Sequence, residues 1–273
     1  MRRAVYSRSV QSAKVDEVLE RIERHAEREP GGAIAFDGDG TLWSGDIGED
    51  FFHAFLEGNH TGAGARDALA DEAKAHGVDP NGTPTDVARR LHAAYLAGSF
   101  PEERICEIMT WVCAGWTGAE LDAFASRVVT SIALASRFHE EAHRVVAWAR
   151  ARALSVYLVS ASPRAIVEQA AKLVGIELAH VVSATEHRDE RGVVQSSVHR
   201  PIPYGPGKVT RLREKLGTRT LYAAFGDNAF DVPMLREARV PVAIRPKARL
   251  VERAAEVPGI VMLERVSSSM VVG

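Results

Sequence analysis

Two aspartates separated by one residue follow a short apolar segment near the start of the chain. Asp37 and Asp39 come directly after the apolar residues 33–36, and Gly40 and Thr41 follow them. Residues two apart on an extended backbone point to the same side, so both carboxylates can reach one ligand. Like charges this close oppose each other's ionisation unless a cation or a shared proton relieves them. The pair predicts a bound metal or acid–base chemistry, and an Asp-Gly turn without a function is the alternative.

A second pair of aspartates occurs late in the chain in a similar setting. Asp227 follows the apolar residues 220–225, and Asp231 comes four residues later, where a helix is expected to begin. The helix dipole alone favours a carboxylate such as Asp231 in a first turn. It does not explain Asp227, which is expected to meet Asp37 and Asp39 at one edge of a sheet. Three carboxylates that converge in this way favour a hard cation such as Mg²⁺.

Hydroxyl groups and a lysine are expected near the same edge. Ser160 follows the apolar residues 154–159, and Ser162 precedes a proline at the expected start of a helix. Hydroxyls and free backbone N–H groups in such a place favour an anion, although Ser162 also suits a simple helix cap. Lys208 is expected in the first turn of a helix, where a cation is unfavourable unless an anion lies nearby. These residues therefore predict an anion-binding site.

The elements that must position these residues alternate along the second half of the chain. Apolar runs predict strands at residues 33–36, 154–159, 181–183, 220–225 and 240–244, with a short ribbon near 193–198. Helical periodicity predicts helices at residues 12–28, 50–56, 65–76, 86–97, 102–114, 118–134, 140–152, 163–174, 208–216 and 232–238.

This order predicts an α/β fold, a doubly wound, Rossmann-like parallel sheet with an inserted all-helical domain. We expect residues 1–45 and 137–273 to form the sheet domain and residues 46–136 the insertion. Doubly wound sheets bind ligands at the carboxyl ends of their strands, which is where the residues above are expected.

Composition excludes several classes of function. The chain has 34 Lys and Arg against 36 Asp and Glu, so its net charge of −2 gives no general attraction to nucleic acid or to a membrane surface. No apolar run approaches the roughly 20 residues that span a bilayer. The two cysteines, Cys106 and Cys113, match neither a metal site nor a disulfide framework. We expect a cytoplasmic protein of unknown oligomeric state, although residues 1–14 weakly resemble a transit peptide.

Taken in order, four motifs resemble those of the haloacid dehalogenase superfamily, and within it the phosphoserine-phosphatase-like branch with a helical cap. The resemblance covers residues 33–245, and each motif alone is weak, but the four stand in the family's order at expected strand ends and helix starts. The motifs are Phe36-Asp37-Gly38-Asp39-Gly40-Thr41, Val159-Ser160-Ala161-Ser162, Lys208, and Gly226-Asp227-Asn228-Ala229-Phe230-Asp231.

The resemblance implies a Mg²⁺-dependent phosphatase that hydrolyses a small phosphate monoester through an aspartyl-phosphate, with residues 46–136 as the cap. Asp37 would be the nucleophile, and Asp39 would act first as the acid and then as the base. Mg²⁺ would be held by Asp37, the backbone carbonyl of Asp39, and Asp227. The remaining implied roles are phosphate binding by Ser160, the Ala161 N–H group and Lys208, and support of the site by Thr41 and Asp231.

Three positions bear on the substrate that this resemblance implies. Ala161-Ser162 stands where phosphoserine phosphatases have a Gly-Gly pair, and Phe230 stands where they have Asn, which weakens the phosphoserine assignment. Asp46 stands where those enzymes carry a substrate-binding acid, so it and Ser162 are candidate substrate-binding residues. The cap selects the substrate in this family, and its candidates are Trp43, Asp46, Phe51, Arg89, Trp111 and Trp116.

Three alternatives remain open at the level of sequence. A dehalogenase has the same fold and nucleophile but needs no metal, so Asp39 and Asp227 argue against it. A phosphoacceptor signalling module also uses acids, a hydroxyl and a lysine around Mg²⁺, but lacks an insertion of about a hundred residues. A scaffold with an inactive site does not explain why all the motif acids and Lys208 are present.

Overall fold

The computed structural model of the chain describes residues 11–266. Residues 1–10, which hold most of the segment that resembles a transit peptide, lie outside the described residues, as do residues 267–273. Within the described range the longest helices have 14 residues, and none of the helices there is long and apolar enough to cross a membrane.

A parallel sheet of seven strands forms the centre of the described chain. The strands along residues 11–266 are β1 (Gln11–Ala13), β2 (Ala33–Phe36), β3 (Ser155–Pro163), β4 (Val181–Ala184), β5 (Glu186–Arg188), β6 (Val194–Val198), β7 (Leu221–Gly226), β8 (Val240–Ala243) and β9 (Val261–Leu263). The sheet has the order β1-β9-β8-β7-β2-β3-β4, and β5 pairs separately with β6 in an antiparallel ribbon. The predicted α/β fold with a parallel sheet is confirmed.

Eleven α-helices accompany these strands in the described residues. They are α1 (Val15–Arg28), α2 (Ile47–Glu57), α3 (Arg66–Ala75), α4 (Pro84–Leu96), α5 (Glu102–Trp111), α6 (Gly118–Ser131), α7 (Glu140–Ala151), α8 (Arg164–Val174), α9 (Pro206–Leu216), α10 (Val232–Glu237) and α11 (Ala248–Glu252). Helices α2–α6 lie between β2 and β3, and we call them the helical insertion. Capping boxes at Thr83 and Thr117 satisfy the first N–H groups of α4 and α6, which fixes where these helices begin.

The central strand β2 is buried on both faces. Ile34 and Phe36 belong to one apolar cluster, and the rings of Phe36 and Phe225 stack 4.1 Å apart across β2 and β7. Ala33 and Ala35 point the other way, into a second cluster. Because successive side chains of a strand face opposite sides, this division shows that both faces of the sheet are covered. A buried strand in this position holds the residues that follow it rigidly.

Two chain segments connect the helical insertion to the sheet, and they run side by side in opposite directions. The N–H of Ser44 donates to the carbonyl of Arg137 at 3.0 Å, and the N–H of His139 donates to the carbonyl of Leu42 at 2.9 Å. We call residues 42–44 and 137–139 the stem. It is a short two-stranded connection rather than a pair of independent linkers.

The structure differs from the sequence prediction at several element boundaries. Strands β1 and β9 and helix α11 were not predicted, because three- to five-residue elements carry too little periodicity. Strand β3 runs to Pro163, so α8 begins one residue later than predicted and Ser162 does not cap it. Helix α5 ends at Trp111, so Cys113 lies beyond the helix that was expected to contain both cysteines.

Candidate active site

Asp37 lies at the carboxyl end of β2, where its backbone N–H donates to the carbonyl of Phe225 at 2.9 Å. Its side chain is buried, with one oxygen accepting a hydrogen bond from the Thr41 hydroxyl at 3.0 Å. The other oxygen accepts from the ammonium of Lys208 at 2.6 Å. Burial raises the pKa of Asp37 well above its ordinary value, the carboxylate of Asp231 raises it further, and Lys208 opposes the rise.

Lys208 reaches the sheet edge from the first turn of α9 and is fully buried. Its ammonium lies 2.6 Å from both Asp37 and Asp231, and it also donates to the carbonyl of Val159 at 3.3 Å. Burial alone would lower the pKa of this lysine, but the two carboxylates outweigh burial and raise it above its ordinary value. The cation that the sequence analysis found misplaced at a helix N-terminus is therefore stabilised by two anions.

Asp231 uses both carboxylate oxygens on partners within the protein. One oxygen binds Lys208, and the other accepts from the backbone N–H groups of Asp227 and Asn228 at 3.0 and 2.9 Å. Gly226 allows this turn, because a Cβ there would lie 2.6 Å from the Cβ of Asp231. Asp231 therefore fixes both the loop after β7 and the position of Lys208.

Asp227 is buried at the end of β7 but keeps one oxygen free. Its Oδ2 pairs with Lys247 at 2.9 Å, while Oδ1 is buried without a hydrogen-bond partner among residues 11–266. Burial and the carboxylate of Asp231 raise the pKa of Asp227 to about 6, and Lys247 opposes the rise. Gly40, at φ +84°, permits the close approach, since a Cβ there would lie 2.2 Å from Asp227 Oδ2.

These acids form a cluster that suits a divalent cation. Asp37, Asp227 and Asp231 each offer an oxygen within 4.8 Å of the others. A buried carboxylate oxygen without a partner is costly, and the free oxygen of Asp227 therefore indicates a place for a cation. Oxygen ligands of this kind are those that Mg²⁺ prefers. The fit rests first on Asp227, whose Oδ1 has no partner among the described residues. Asp37 accepts one hydrogen bond at each oxygen and can still accept a cation, whereas Asp231 already accepts three hydrogen bonds.

Asp39 points away from this cluster, toward the end of β3 and the start of the insertion. Its Oδ1 accepts from the indole N–H of Trp43 and the backbone N–H of Ile47, both at 2.8 Å. Its Oδ2 accepts from the hydroxyls of Ser162 at 2.7 Å and Ser160 at 3.4 Å. The structure thus brings together Asp39 and both motif serines, with the Asp39 side chain near the acid cluster but outside it.

A cavity of about 450 Å³ opens above these groups. Its floor comes from the sheet edge, and its walls come from α2, α4, α5 and the loops before α9 and α11. Three acids line the walls, Asp46, Glu49 and Glu102, and all belong to the helical insertion or to the residue before it. Lys247 is the one basic residue in the lining within the described chain. The lining residues are Asp37, Asp39, Gly40, Gly45, Asp46, Glu49, Tyr95, Glu102, Ile105, Cys106, Met109, Ser160, Ala161, Ser162, Tyr204, Asn228, Phe230 and Lys247.

Asp46 is the one cap candidate that the structure places in this lining, and Ser162, the other candidate substrate-binding residue, also lines the cavity. Asp46 also caps α2, since its Oδ1 accepts from the N–H of Glu49 at 2.9 Å. Although the side chain is open to the cavity, the surrounding protein and the Asp39 carboxylate raise its pKa well above the ordinary value. The other candidates lie elsewhere: Trp43 holds Asp39, Arg89 binds the carbonyl of Leu56, and Phe51, Trp111 and Trp116 belong to or pack on the apolar core.

Several lining residues escaped the sequence analysis. Lys247 pairs with Asp227 and donates its backbone N–H to the Asp227 carbonyl at 2.7 Å, yet it stands 20 residues after Asp227 without a motif around it. Tyr95, Glu102 and Tyr204 come from separate helices and loops. Glu49 lies three residues after Asp46 at the start of α2, but the predicted helix began only at residue 50 and left both residues outside it.

His139 connects the stem to the first motif. Its ring Nδ1 lies 2.9 Å from the carbonyl of Thr41, so this nitrogen carries the hydrogen that is donated. Burial lowers the pKa of His139, the nearby Arg245 and Arg265 lower it further, and the hydrogen bond to Thr41 and the Glu141 carboxylate oppose the change. A neutral imidazole therefore fixes the loop that carries the first acids.

Comparison with known proteins places this arrangement in a family. A model of the family described as haloacid dehalogenase-like hydrolase matches residues 34–236. A search of curated protein sequences gives no match. Many solved structures are similar to the chain.

The similar structures share the fold at low sequence identity. A protein of unknown function from Bordetella pertussis Tohama I is 22% identical over 85% of this chain and 97% of its own, with a TM-score of 0.63. A conserved protein of unknown function from Anaerococcus prevotii DSM 20548 is 12% identical over 91% and 90%, with a TM-score of 0.67. A phosphoserine phosphatase, described as a phospho-aspartyl intermediate analogue, is 16% identical over 86% and 94%, with a TM-score of 0.51.

Proposed function

Because the chain belongs to the haloacid dehalogenase-like hydrolases, we propose that it is a Mg²⁺-dependent phosphatase that hydrolyses a small phosphate monoester through an aspartyl-phosphate. The proposal rests mainly on the hydrogen-bond partners and neighbours of the Asp37 carboxylate. Lys208 and Thr41 hold its carboxylate at the floor of an open cavity, beside Asp227 with its free buried oxygen. A carboxylate nucleophile with the Lys208 ammonium on one side and a candidate cation site at Asp227 on the other suits an anionic substrate.

In the proposed first step, a carboxylate oxygen of Asp37 forms a bond to phosphorus while the ester P–O bond breaks. Asp39 gives a proton to the departing alcohol. In the second step Asp39 takes a proton from water, the water oxygen bonds to phosphorus, and the bond to Asp37 breaks. The hydrogen bonds from Trp43 and Ile47 orient the Asp39 carboxyl for both transfers.

Groups that surround the nucleophile would bind the phosphate. We assign it to the Ser160 hydroxyl, the Ala161 N–H group and Lys208, with Thr41 and Asp231 as supporting residues. Lys208 neutralises charge on the Asp37 side, and Asp231 keeps its ammonium in place. Phosphoryl transfer depends mainly on such positioning and charge stabilisation, because uncatalysed hydrolysis of phosphate monoesters is extremely slow.

Asp37 and Asp227, with the backbone carbonyl of Asp39, would hold the Mg²⁺ ion in this proposal. When bound, the ion supplies positive charge that offsets the carboxylates and the phosphate. The free oxygen of Asp227 supports this assignment over one that uses Asp231. A dehalogenase needs no such ion, so this oxygen has no role in the alternative.

The substrate that suits the cavity walls bears an ammonium group. Asp46, Glu49 and Glu102 line the walls, and Lys247 is the one basic residue in the lining within the described chain. A carboxylate that meets an ammonium group forms a charge-assisted hydrogen bond, so a phosphorylated amino alcohol or amino acid such as phosphoserine fits better than a sugar phosphate. The helical insertion, residues 46–136, would act as the cap that limits water in the cavity.

Phosphate release from a panel of phosphate monoesters, with Mg²⁺ or with excess chelator, tests the activity. We expect turnover only in the assays that contain Mg²⁺. We also expect a phosphate adduct on Asp37 that survives acid quenching, or a beryllofluoride adduct on the same residue. Asp39→Asn should bind Mg²⁺ better than Asp227→Asn, because Asp39 contributes its backbone carbonyl. Full activity in excess chelator, or label on Ser160 with Asp37→Asn still active, would contradict the proposal.

A further inference from the structure

A second cluster of ligand-type side chains lies on the helical insertion. Glu49 and His53 are one turn apart on α2, and His92 faces them from α4. Each offers one oxygen or nitrogen atom, and these atoms lie within 4.8 Å of one another. Glu49 is half-buried, His53 is exposed and His92 is buried, so the cluster has one side open to solvent.

His92 gives a second, independent indication that this cluster binds a ligand. Its side chain is only 7% exposed, and its Nε2 atom has no hydrogen-bond partner anywhere in residues 11–266. The nearest carboxylate oxygen, Oε1 of Glu49, is 3.8 Å away, too far for a hydrogen bond. A buried ring nitrogen without a partner is costly, and in proteins an unprotonated imidazole nitrogen is a common metal ligand.

Packing holds the His92 ring in this orientation. The ring contacts Phe52, His53 and Tyr95, with centroids 5.4, 4.8 and 5.8 Å away. The buried ligand is therefore rigid, whereas Glu49 and His53 retain freedom to adjust. A tetrahedral ion needs ligand atoms about 3.3 Å apart, so small rotations of these two side chains are enough.

We propose that Glu49, His53 and His92 bind a divalent transition-metal ion of the zinc class, with water in the remaining position. Two imidazoles and one carboxylate are a ligand set of this class, whereas Mg²⁺ prefers oxygen ligands throughout. The site is separate from the carboxylate cluster at the sheet edge. Because Glu49 also lines the cavity, the bound ion would lie at the cavity wall and reduce its negative charge.

The test uses the untagged full-length protein, freed of metals and then saturated with Mg²⁺ so that the carboxylate cluster is occupied. Zn²⁺ alone is titrated by calorimetry, and Co²⁺ in its place reports four-coordinate geometry by its intense visible absorption. We expect one Zn²⁺ per chain and a rise in the melting temperature, since a ligand that binds only the folded chain stabilises it. His53→Gln, at an exposed position, should weaken Zn²⁺ binding at least about tenfold, the loss that even outer partners of a metal site cause.

Two control variants separate this site from other histidines and from the proposed active site. Glu72 and His76, at the C-terminal end of α3, are four residues apart like Glu49 and His53. Their oxygen–nitrogen separation of 3.8 Å equals that of Glu49 and His92, but they belong to no such three-residue cluster in the described chain. His76→Gln should therefore bind Zn²⁺ as the unmodified chain does. Asp227→Asn should also keep the Zn²⁺ site while it weakens Mg²⁺ binding.

The result does not depend on phosphatase activity, because every readout is binding or stability. No Zn²⁺ binding in the presence of Mg²⁺ would overturn the proposal, as would equal affinities of His53→Gln and the unmodified chain. Loss of Zn²⁺ binding in Asp227→Asn would also overturn it, by assigning the ion to the carboxylate cluster. If His92→Gln does not fold, the exposed His53 variant still decides the question.

Discussion

The sheet edge and the cavity walls both carry acidic residues, but they treat charge in opposite ways. At the sheet edge, Asp37 and Asp231 are buried, and each oxygen has a lysine, a hydroxyl or an N–H group beside it. On the walls, Asp46, Glu49 and Glu102 keep some exposure to the cavity. Asp37 and Asp231 are matched within the protein, whereas the wall acids can bind an ion or a solute.

This difference follows from what burial costs. A buried charge is costly unless a partner and hydrogen bonds satisfy it, so the sheet edge requires its complete network before the chain folds stably. A partly exposed acid keeps some hydration and can change without loss of the fold. We therefore expect substitutions at the sheet edge to affect turnover and stability, and substitutions on the walls to affect the choice of substrate.

The largest effect is expected from Asp37→Asn, which keeps the shape of the proposed nucleophile and removes its charge. Loss of a nucleophile typically lowers turnover by about 10⁴-fold or more. The measurement is the steady-state rate on p-nitrophenyl phosphate, with thermal unfolding to confirm the fold. Glu102→Gln on the wall is the matched control and should change this rate less than tenfold. Comparable losses in the two variants would remove the distinction between edge and wall.

Lys208→Met should give the next largest effect, this time on stability. It leaves Asp37 and Asp231 buried without their shared cation, and breaking such a network costs about 3–5 kcal/mol. The free energy of unfolding from denaturant titration at pH 7 measures the loss. Lys247→Met is the comparison: Lys247 is 55% exposed and pairs with one buried carboxylate, Asp227, rather than two, so its effect should be smaller. Equal losses in the two variants would show that the burial of a lysine does not determine how much it contributes to the free energy of unfolding.

Asp46→Asn should change selectivity with little effect on the fold. Asn caps a helix as well as Asp does, so α2 keeps its first hydrogen bond while the charge is lost. We expect kcat/KM on phosphoserine to fall about ten- to a hundredfold, with little change on p-nitrophenyl phosphate. Glu57→Gln, at the exposed end of α2, controls for the change in net charge. A parallel fall on both substrates would assign Asp46 a structural role.

The smallest effect is expected from a substitution of His139 in the stem, the two segments that connect the helical insertion to the sheet. Burial keeps the pKa of His139 below its unfolded value near 6.5. The stability that neutral His139 contributes is therefore complete above pH 6.5 and is lost as the pH falls through the folded pKa. His139→Asn keeps an N–H donor for Thr41 without this titration.

Denaturant titrations at pH 7 and pH 5 compare the two proteins. At pH 7 their unfolding free energies should agree within about 1 kcal/mol, since one hydrogen bond is retained. At pH 5 the unmodified chain should lose more stability than the variant. The same pH dependence in both would exclude His139 as its source.

The sequence was sufficient to locate the sheet edge but, apart from Asp46, not the walls. Strands β2 and β7 are continuous apolar runs, and their acids follow directly. The apolar run therefore marks the strand end at which the acids lie. Lys208 was found because a cation at a helix start conflicts with the helix dipole. Each of these signals lies within a few residues, which is why it can be recognised in one sequence.

The walls depend on how separate helices pack, and no local signal records this. Lys247 reaches Asp227 from a loop before a five-residue helix, and Tyr204 comes from a loop before α9. Of the three residues in the proposed zinc-class site, Glu49 and His53 show helical spacing, but His92 joins them from a helix that begins at Pro84. Packing of α2 against α4 is needed before the three can be recognised as one cluster.

The stem has a mechanical consequence for catalysis. Trp43 belongs to the stem, and its indole N–H holds Asp39. Ile47, whose backbone N–H holds the same carboxylate oxygen, is the first residue of α2. A rotation of the helical insertion about the stem would therefore pull directly on the carboxyl group that is proposed to carry the proton. Both donors to this Asp39 oxygen come from the segment that connects the sheet to the helical insertion, so the position of the carboxyl group depends on where that segment lies.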